Sequence, residues 1–344
     1  MDNQTCDYGG VVDDPRQRLD AAASECGFSG VVRVDRDGTV EIDAAYGLAD
    51  RAHTIAMTTD TQLGMASGSK TFTAVVVLKL VEDGLLDLSM PARALLGRDL
   101  PLIADDVTVE HLLCHRSGIG DYLDEDVLDS DDYPMPVSVH RLVRTEDFVP
   151  ILDGYPTKFP AGERFSYCNG GYVVLALLAE RASGRSYQDL VRDIVCKPAG
   201  MSSTDFLRSD SLPGTAALGY VEVDGYWRTN VFHLPVVATG DGGVYTTGAD
   251  ITRFWDALMT GRLIGQETRH TMLTPRSPVD EDGDGYALGC WARPGPGIVQ
   301  MSGGDAGVRF WSRHDPRDGS TITVIGNSGA SSRPLVKVLD DLLS

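Results

Sequence analysis

Positive charge and cysteine are both scarce in this chain. Against 50 acidic residues stand only 30 lysines and arginines, a formal net charge of -20 at pH 7 over 344 residues. Such a field repels phosphate, which argues against nucleic acid or an anionic membrane as partner and leaves the fold open. The six cysteines (Cys6, Cys26, Cys114, Cys168, Cys196, Cys290) include no C-x-x-C pair, so neither a zinc site nor a disulfide-dense scaffold is expected. Scattered thiols suit a reducing compartment. The first residues carry no basic stretch followed by an apolar run, and no apolar run approaches the length of a membrane span. The expectation is a soluble, cytoplasmic protein, although removal of a signal would leave the same picture. None of the seven histidines forms an H-E-x-x-H pair, and neither a G-x-S-x-G elbow nor a phosphate-binding glycine loop occurs. No metal or cofactor is expected, and the α/β-hydrolase architecture is disfavoured.

What is present reads as mixed α and β. Residues 11–26 have helical periodicity, with Val12, Leu19, Ala22 and Ala23 on one side. Strands follow at 30–34 and 39–46, joined by Asp35-Arg36-Asp37-Gly38, whose Asp-Gly is a hairpin signal. Thr71 to Val81 is apolar all round and predicts a core helix that stops at Asp83-Gly84. Residues 85–240 read as helices joined by loops, the clearest helix running from Tyr172 to Ala182. Beyond Gly240, strand-like runs appear at 297–300 and 321–326, and a last helix spans 334–343. Strands at both ends with helices between predict an α/β unit built from residues 1–75 and 241–344, with a helical unit, 76–240, inserted.

Only one lysine has a serine three residues before it, in Ser67-Gly68-Ser69-Lys70. On a helix this spacing puts both side chains on one face, and a serine in the first turn sits at the positive end of the helix dipole. Alone, the pattern equally suits a helix cap and a solvated lysine. A second element, Tyr167-Cys168-Asn169, precedes the apolar helix about one hundred residues downstream. A phenol beside an ammonium is a candidate general base, and the asparagine amide can serve the lysine or a bound acyl group. A third, Met301-Ser302-Gly303-Gly304, lies on a strand where paired glycines allow close backbone approach. The N–H of Gly304 is a candidate to join that of Ser67 in an oxyanion hole.

In this order the three elements resemble the serine β-lactamase and penicillin-binding-protein superfamily, specifically its class C-like branch of esterases and D-peptidases. The resemblance extends to Leu112-Leu113-Cys114-His115-Arg116-Ser117-Gly118-Ile119 and to the block from Phe159 through Tyr172. Further landmarks are Ala199-Gly200-Met201, Gly242 to Thr247 and Tyr286-Ala287-Leu288-Gly289, so most of the chain between about 30 and 335 is covered. It implies a β-lactamase-like α/β fold, an antiparallel sheet flanked by helices plus an all-helical domain, with the site in the cleft between them. Ser67 would be the nucleophile, Lys70 the activating amine and Tyr167 the base; Asn169, Met301, Ser302 and Gly303 would meet the substrate. The family's third motif usually opens with Lys or His, a cation that helps hold a substrate carboxylate; Met301 cannot. Neutral ester, lactone or amide acyl donors are therefore expected ahead of β-lactams and D-alanyl-D-alanine, with Arg309 as an alternative carboxylate clamp.

The expected activity is hydrolysis through an acyl-enzyme. The same residues would serve a transacylase with an amine or alcohol acceptor, and a non-catalytic binding module is the rival of another class. Two further features stand apart. Asp121 to Asp132 contains seven acidic residues and suits either a solvated loop or a cationic substrate. Asp280 to Gly285 matches half a calcium loop but has Trp291 at its twelfth position, so a polar turn is expected.

Overall fold

The first hairpin is set by two residues. Asp37 and Gly38 take φ of 48° and 76°, the left-handed pair that a type I′ turn needs. They join strands β1 (Gly30–Arg36) and β2 (Thr39–Tyr46) in antiparallel register. A computed structural model describes residues 14–127, 132–278, 284–292, 297–330 and 332–343; the candidate calcium turn lies largely outside them. The other edge of β1 pairs with a strand from the far end of the chain. Six strands follow late in the sequence: β3 (Ser277–Pro278), β4 (Gly285–Tyr286), β5 (Trp291–Ala292), β6 (Val299–Asp305), β7 (Val308–Asp315) and β8 (Ser320–Gly326). The sheet runs β2-β1-β8-β7-β6-β5-β4-β3, every neighbour antiparallel. Gly30 faces Gly326 across the β1–β8 seam, where a Cβ on Gly30 would meet Ile325 O at 2.0 Å. The two ends of the chain thus share one sheet.

Period-two alternation divides the sheet faces. Val32 and Val34 pack outward with Leu19 and Ala23 of α1 (Pro15–Glu25) and with Leu335 and Leu339 of the C-terminal helix (Arg333–Leu343). Val31, Ile325, Phe310 and Met301 pack inward, in the main core with α2 (Lys70–Glu82). Ten of the thirteen residues of α2 are buried, as an all-round apolar helix requires. It stops where Gly84 turns left-handed, φ 73°, with its N–H donating to Val81 O at 3.0 Å. The expected division at 75/76 therefore falls inside one continuous helix.

The long α3 (Asn169–Ser183) crosses α2 in the same core. The segment expected to be helical also contains a two-stranded hairpin, Tyr220–Val223 with Tyr226–Thr229. Its turn is again Asp-Gly, Asp224 and Gly225 at φ 54° and 77°. Among the described residues no helix is long and apolar enough to cross a membrane.

Candidate active site

Ser67 sits in a single 3-10 turn, Ala66–Ser69, that runs directly into α2. Ala66 adopts φ 43°, a left-handed conformation that costs an alanine about 1–2 kcal/mol. It is held by a backbone clasp: the Ala66 carbonyl accepts from Gly243 N at 3.2 Å and from Ser69 Oγ at 3.0 Å, and Met65 N donates to Val244 O at 2.9 Å. The clasp fixes where the Ser67 hydroxyl points.

Lys70, one turn on, is only 1% exposed. Its Nζ donates to Ser67 Oγ at 2.8 Å, to Asn169 Oδ1 at 2.7 Å and to the Asp241 carbonyl at 2.6 Å. Three acceptors match the three N–H bonds of an ammonium, one more than a neutral amine can use. Burial is the largest influence on Lys70 and pushes its pKa down, but Tyr167, Asp241 and Glu125 together outweigh it, and the net direction is up. At rest Lys70 is a cation.

Tyr167 and Asn169 flank Cys168, whose extended backbone (φ -145°, ψ 110°) turns both neighbours to one side. Ser67 and Lys70 both favour the ionised form of the phenol, and Lys70 Nζ lies 5.0 Å from its ring centroid. Burial raises the pKa of Tyr167 more than the Lys70 charge lowers it, so the resting phenol is neutral. Asn169 opens α3; its Nδ2 donates to Leu123 O at 2.9 Å and to Glu125 Oε1 at 3.2 Å, which orients Oδ1 toward the ammonium.

The chain approaches this group closely at Gly303. A Cβ there would fall 2.4 Å from Met65 O, 2.8 Å from Gly68 N and 2.9 Å from Ser67 N, so only glycine lets β6 lie against the serine turn. β5 pairs with β6 only at Val299 and Gln300, which leaves the edge from Met301 to Asp305 facing the cleft turn. Gly304 and Ser67 line one cleft together with Asn169, Asp241, Tyr122 and Asp305.

Three expected substrate contacts are placed elsewhere. Met301 is 1% exposed and packed in the main core, outside the cleft lining. Ser302 and Arg309 alternate onto the outer face, where with Trp311 and Lys337 they border a depression beside the C-terminal helix. Arg309 Nη1 donates to the carbonyls of Asp305 at 3.0 Å and Val308 at 2.8 Å, so it is no clamp in the cleft. The reason is strand alternation, which opposes Arg309 to Gly304 on the outer side.

Sequence reasoning missed four supporting residues. Asp121 caps α3, its carboxylate accepting from Asn169 N at 2.6 Å and Gly170 N at 2.8 Å. Burial nevertheless pushes its pKa up to about 6. Asp241 gives its carbonyl to Lys70 and its carboxylate to the Tyr122 hydroxyl at 2.5 Å. His115, known only as part of a landmark, is buried with Nδ1 accepting from Cys168 N at 3.1 Å and its ring 4.2 Å from that of Tyr167. Burial, and then the Lys70 charge, keep His115 neutral. Asp305 is the fourth: its carboxylate accepts from the Tyr133 hydroxyl and Ala306 N, and burial raises it to about 6. Only the two aspartates beside glycine, at Gly120-Asp121 and Asp241-Gly242, left even a turn signal.

Among the described residues no group of side chains is arranged to hold a metal ion. A family model described as Beta-lactamase matches residues 16–340. A penicillin-binding protein of Bacillus subtilis is 29% identical over 296 residues, 80% of this chain and 63% of its own. A D-aminopeptidase of Brucella ovis is 28% identical over 337 residues, 92% of this chain and 60% of its own. The chain spans two thirds or less of the length of the curated relatives it matches. The crystal structure of a penicillin binding protein from Bacillus halodurans is 34% identical with a TM-score of 0.88, covering 94% of this chain and 99% of that one.

Proposed function

The chain belongs to the β-lactamase family, and from that premise we propose that it hydrolyses an ester or amide through an acyl-enzyme on Ser67. The observation that carries the reading is the ammonium of Lys70 held 2.8 Å from Ser67 Oγ by two further fixed acceptors. Resting Lys70 and Tyr167 together hold one proton too many for catalysis. Removing it gives either amine with phenol or ammonium with phenolate, a coupled pair with shared apparent pKa values. The three-acceptor set around Nζ favours ammonium with phenolate. Tyr167 is then the base: it takes the Ser67 proton as Oγ bonds the carbonyl carbon and returns it to the departing alcohol or amine. The N–H groups of Ser67 and Gly304 receive the oxyanion, and water activated by Tyr167 releases the acid.

Substrate class follows from charge. Among the described residues neither lysine nor arginine lines the cleft, and Met301 supplies no cation, so a neutral ester, lactone or amide fits better than a donor ending in a carboxylate. The names penicillin-binding protein and D-aminopeptidase among the relatives support keeping amides in that set. Intact mass before and after exposure to an activated ester and to a β-lactam tests the reading. The expected result is one acyl adduct from the ester, absent in Ser67→Ala; an unmodified wild-type protein overturns it.

A further inference from the structure

We propose that the acyl donor carries a long unbranched apolar chain, which leaves the cleft across Met135 and lies in a second groove between residues 134–140 and 231–236. The proposal rests on the reading of Ser67 as nucleophile and adds the shape and polarity of its donor.

The direction of the chain follows from proton transfer. Tyr167 has to reach the leaving group, yet it is not part of the lining of the cleft that Ser67 and Gly304 share. The leaving group therefore sits on the Tyr167 side, and the acyl group extends into the cleft. The three carboxylates there are each hydrogen-bonded to a neighbour: Glu125 to Asn169, Asp241 to Tyr122 and Asp305 to Tyr133. Leu123, Met135, Leu234 and Pro235 add an apolar wall, the first three packed about Tyr133, Val221 and Ala306.

Met135 lines the second groove as well, and Leu234-Pro235 of the cleft lead directly into Val236 of the groove. The two are continuous along that wall. The groove has a volume of about 380 Å³, within the range of small-molecule sites, and is lined mainly by Val137, Val139, Val231, Phe232 and Val236. Its two sides are tied together at both ends. His233 Nε2 lies 2.8 Å from Asp132 Oδ1, and Val236 N donates to Val139 O at 3.3 Å. The groove is therefore formed before any ligand arrives. Asp210, the one carboxylate on its lining, is already paired with Arg208 at 2.9 Å. Phe232 is 80% exposed. A hydrocarbon chain covers such a ring and the valines beside it without burying a charge, whereas a peptide would leave amides unpaired against them.

The test compares 4-nitrophenyl butyrate with 4-nitrophenyl decanoate, both below the micellar limit, using the full chain. A fully buried methylene is worth about 0.8 kcal/mol, or about fourfold, so partial burial of the longer chain should raise kcat/KM at least about tenfold. Phe232→Ser should compress that ratio to within about threefold. Tyr226→Ser removes an exposed aromatic that lines neither groove, and it should keep the wild-type ratio. A wild-type rate that is level or falls from butyrate to decanoate, with Ser67 still acylated by the butyrate, overturns the proposal and leaves the nucleophile assignment standing. A ratio unchanged in Phe232→Ser, or compressed equally in Tyr226→Ser, also overturns it. Sedimentation at assay concentration should show the same mass for wild type and Phe232→Ser; a wild-type dimer that this change dissociates makes the groove an interface between copies and overturns the proposal. Failure of every ester to acylate Ser67 overturns both readings.

Discussion

Replacing Gly303 with alanine should disable the enzyme, whereas the same change at Gly304 should not. At Gly303 the three atoms nearest the new methyl would all be backbone: Met65 O at 2.4 Å, Gly68 N at 2.8 Å and Ser67 N at 2.9 Å. Ordinary contact begins at 3.4 Å, so β6 must retreat by about 1 Å from Met65 O and by about 0.5 Å from Ser67 N. None of the three atoms is the end of a flexible side chain that could swing aside. The retreat carries Gly304 N–H away from Ser67, and loss of one oxyanion donor costs about 10²–10³ in kcat. The overpacking itself should cost about 1–3 kcal/mol of stability. At Gly304 the nearest atom to a new Cβ is Arg309 Nη1 at 3.7 Å, an ordinary contact on the outer face. Steady-state hydrolysis of an activated ester, with thermal melts of both variants, reads the contrast. A folded Gly303→Ala protein with wild-type kcat would refute the placement of the oxyanion hole.

Three other outcomes follow from the buried charges. Lys70→Met keeps the stem but removes all three donations, and kcat/KM should fall about 10²–10⁴-fold on the same ester; a fall below tenfold contradicts the ammonium's role. Because Lys70 and Tyr167 are both shifted upward, the competent form has one proton fewer than the resting one, so kcat/KM should rise with pH above neutrality. A profile that is flat from pH 7 to 10, or that falls over that span, would contradict it. Asp305 keeps its proton up to about pH 6 when folded but loses it near 3.8 when unfolded, so stability drops as pH rises through that window. Asp305→Asn removes the effect: the Tm of the variant relative to wild type should be higher at pH 7 than at pH 4, and a pH-independent difference would count against it.

How much of this was legible in the sequence depended on the range of the interaction. Helix α2 and the first hairpin rest on local pattern and local turn chemistry, and both were readable to within a residue or two. The hairpin at 220–229 carried the same Asp-Gly signal, in a stretch read as helices joined by loops. Ser67, Lys70, Tyr167 and Asn169 were named from spacing and resemblance, and the structure brings them together. Met301, Ser302 and Arg309 were named from the same motif, but strand alternation sends Met301 to the core and the other two to the outer face. Asp241 left no more than a turn signal with Gly242, because it serves Lys70 through a carbonyl, which any residue type possesses. Asp121 and Asp305 act across 48 and 172 residues of sequence, on Asn169 and Tyr133 respectively, and no pattern in one chain reports such pairs.

The most direct test locates the covalent bond. Trypsin should release Ala52–Lys70 as one peptide, since no arginine or lysine lies between Arg51 and Lys70. After acid quench of a reaction with an activated ester, fragmentation of that peptide should place the whole acyl mass on Ser67. An acyl group on Ser69, or on any other peptide with Ser67 untouched, would contradict the account.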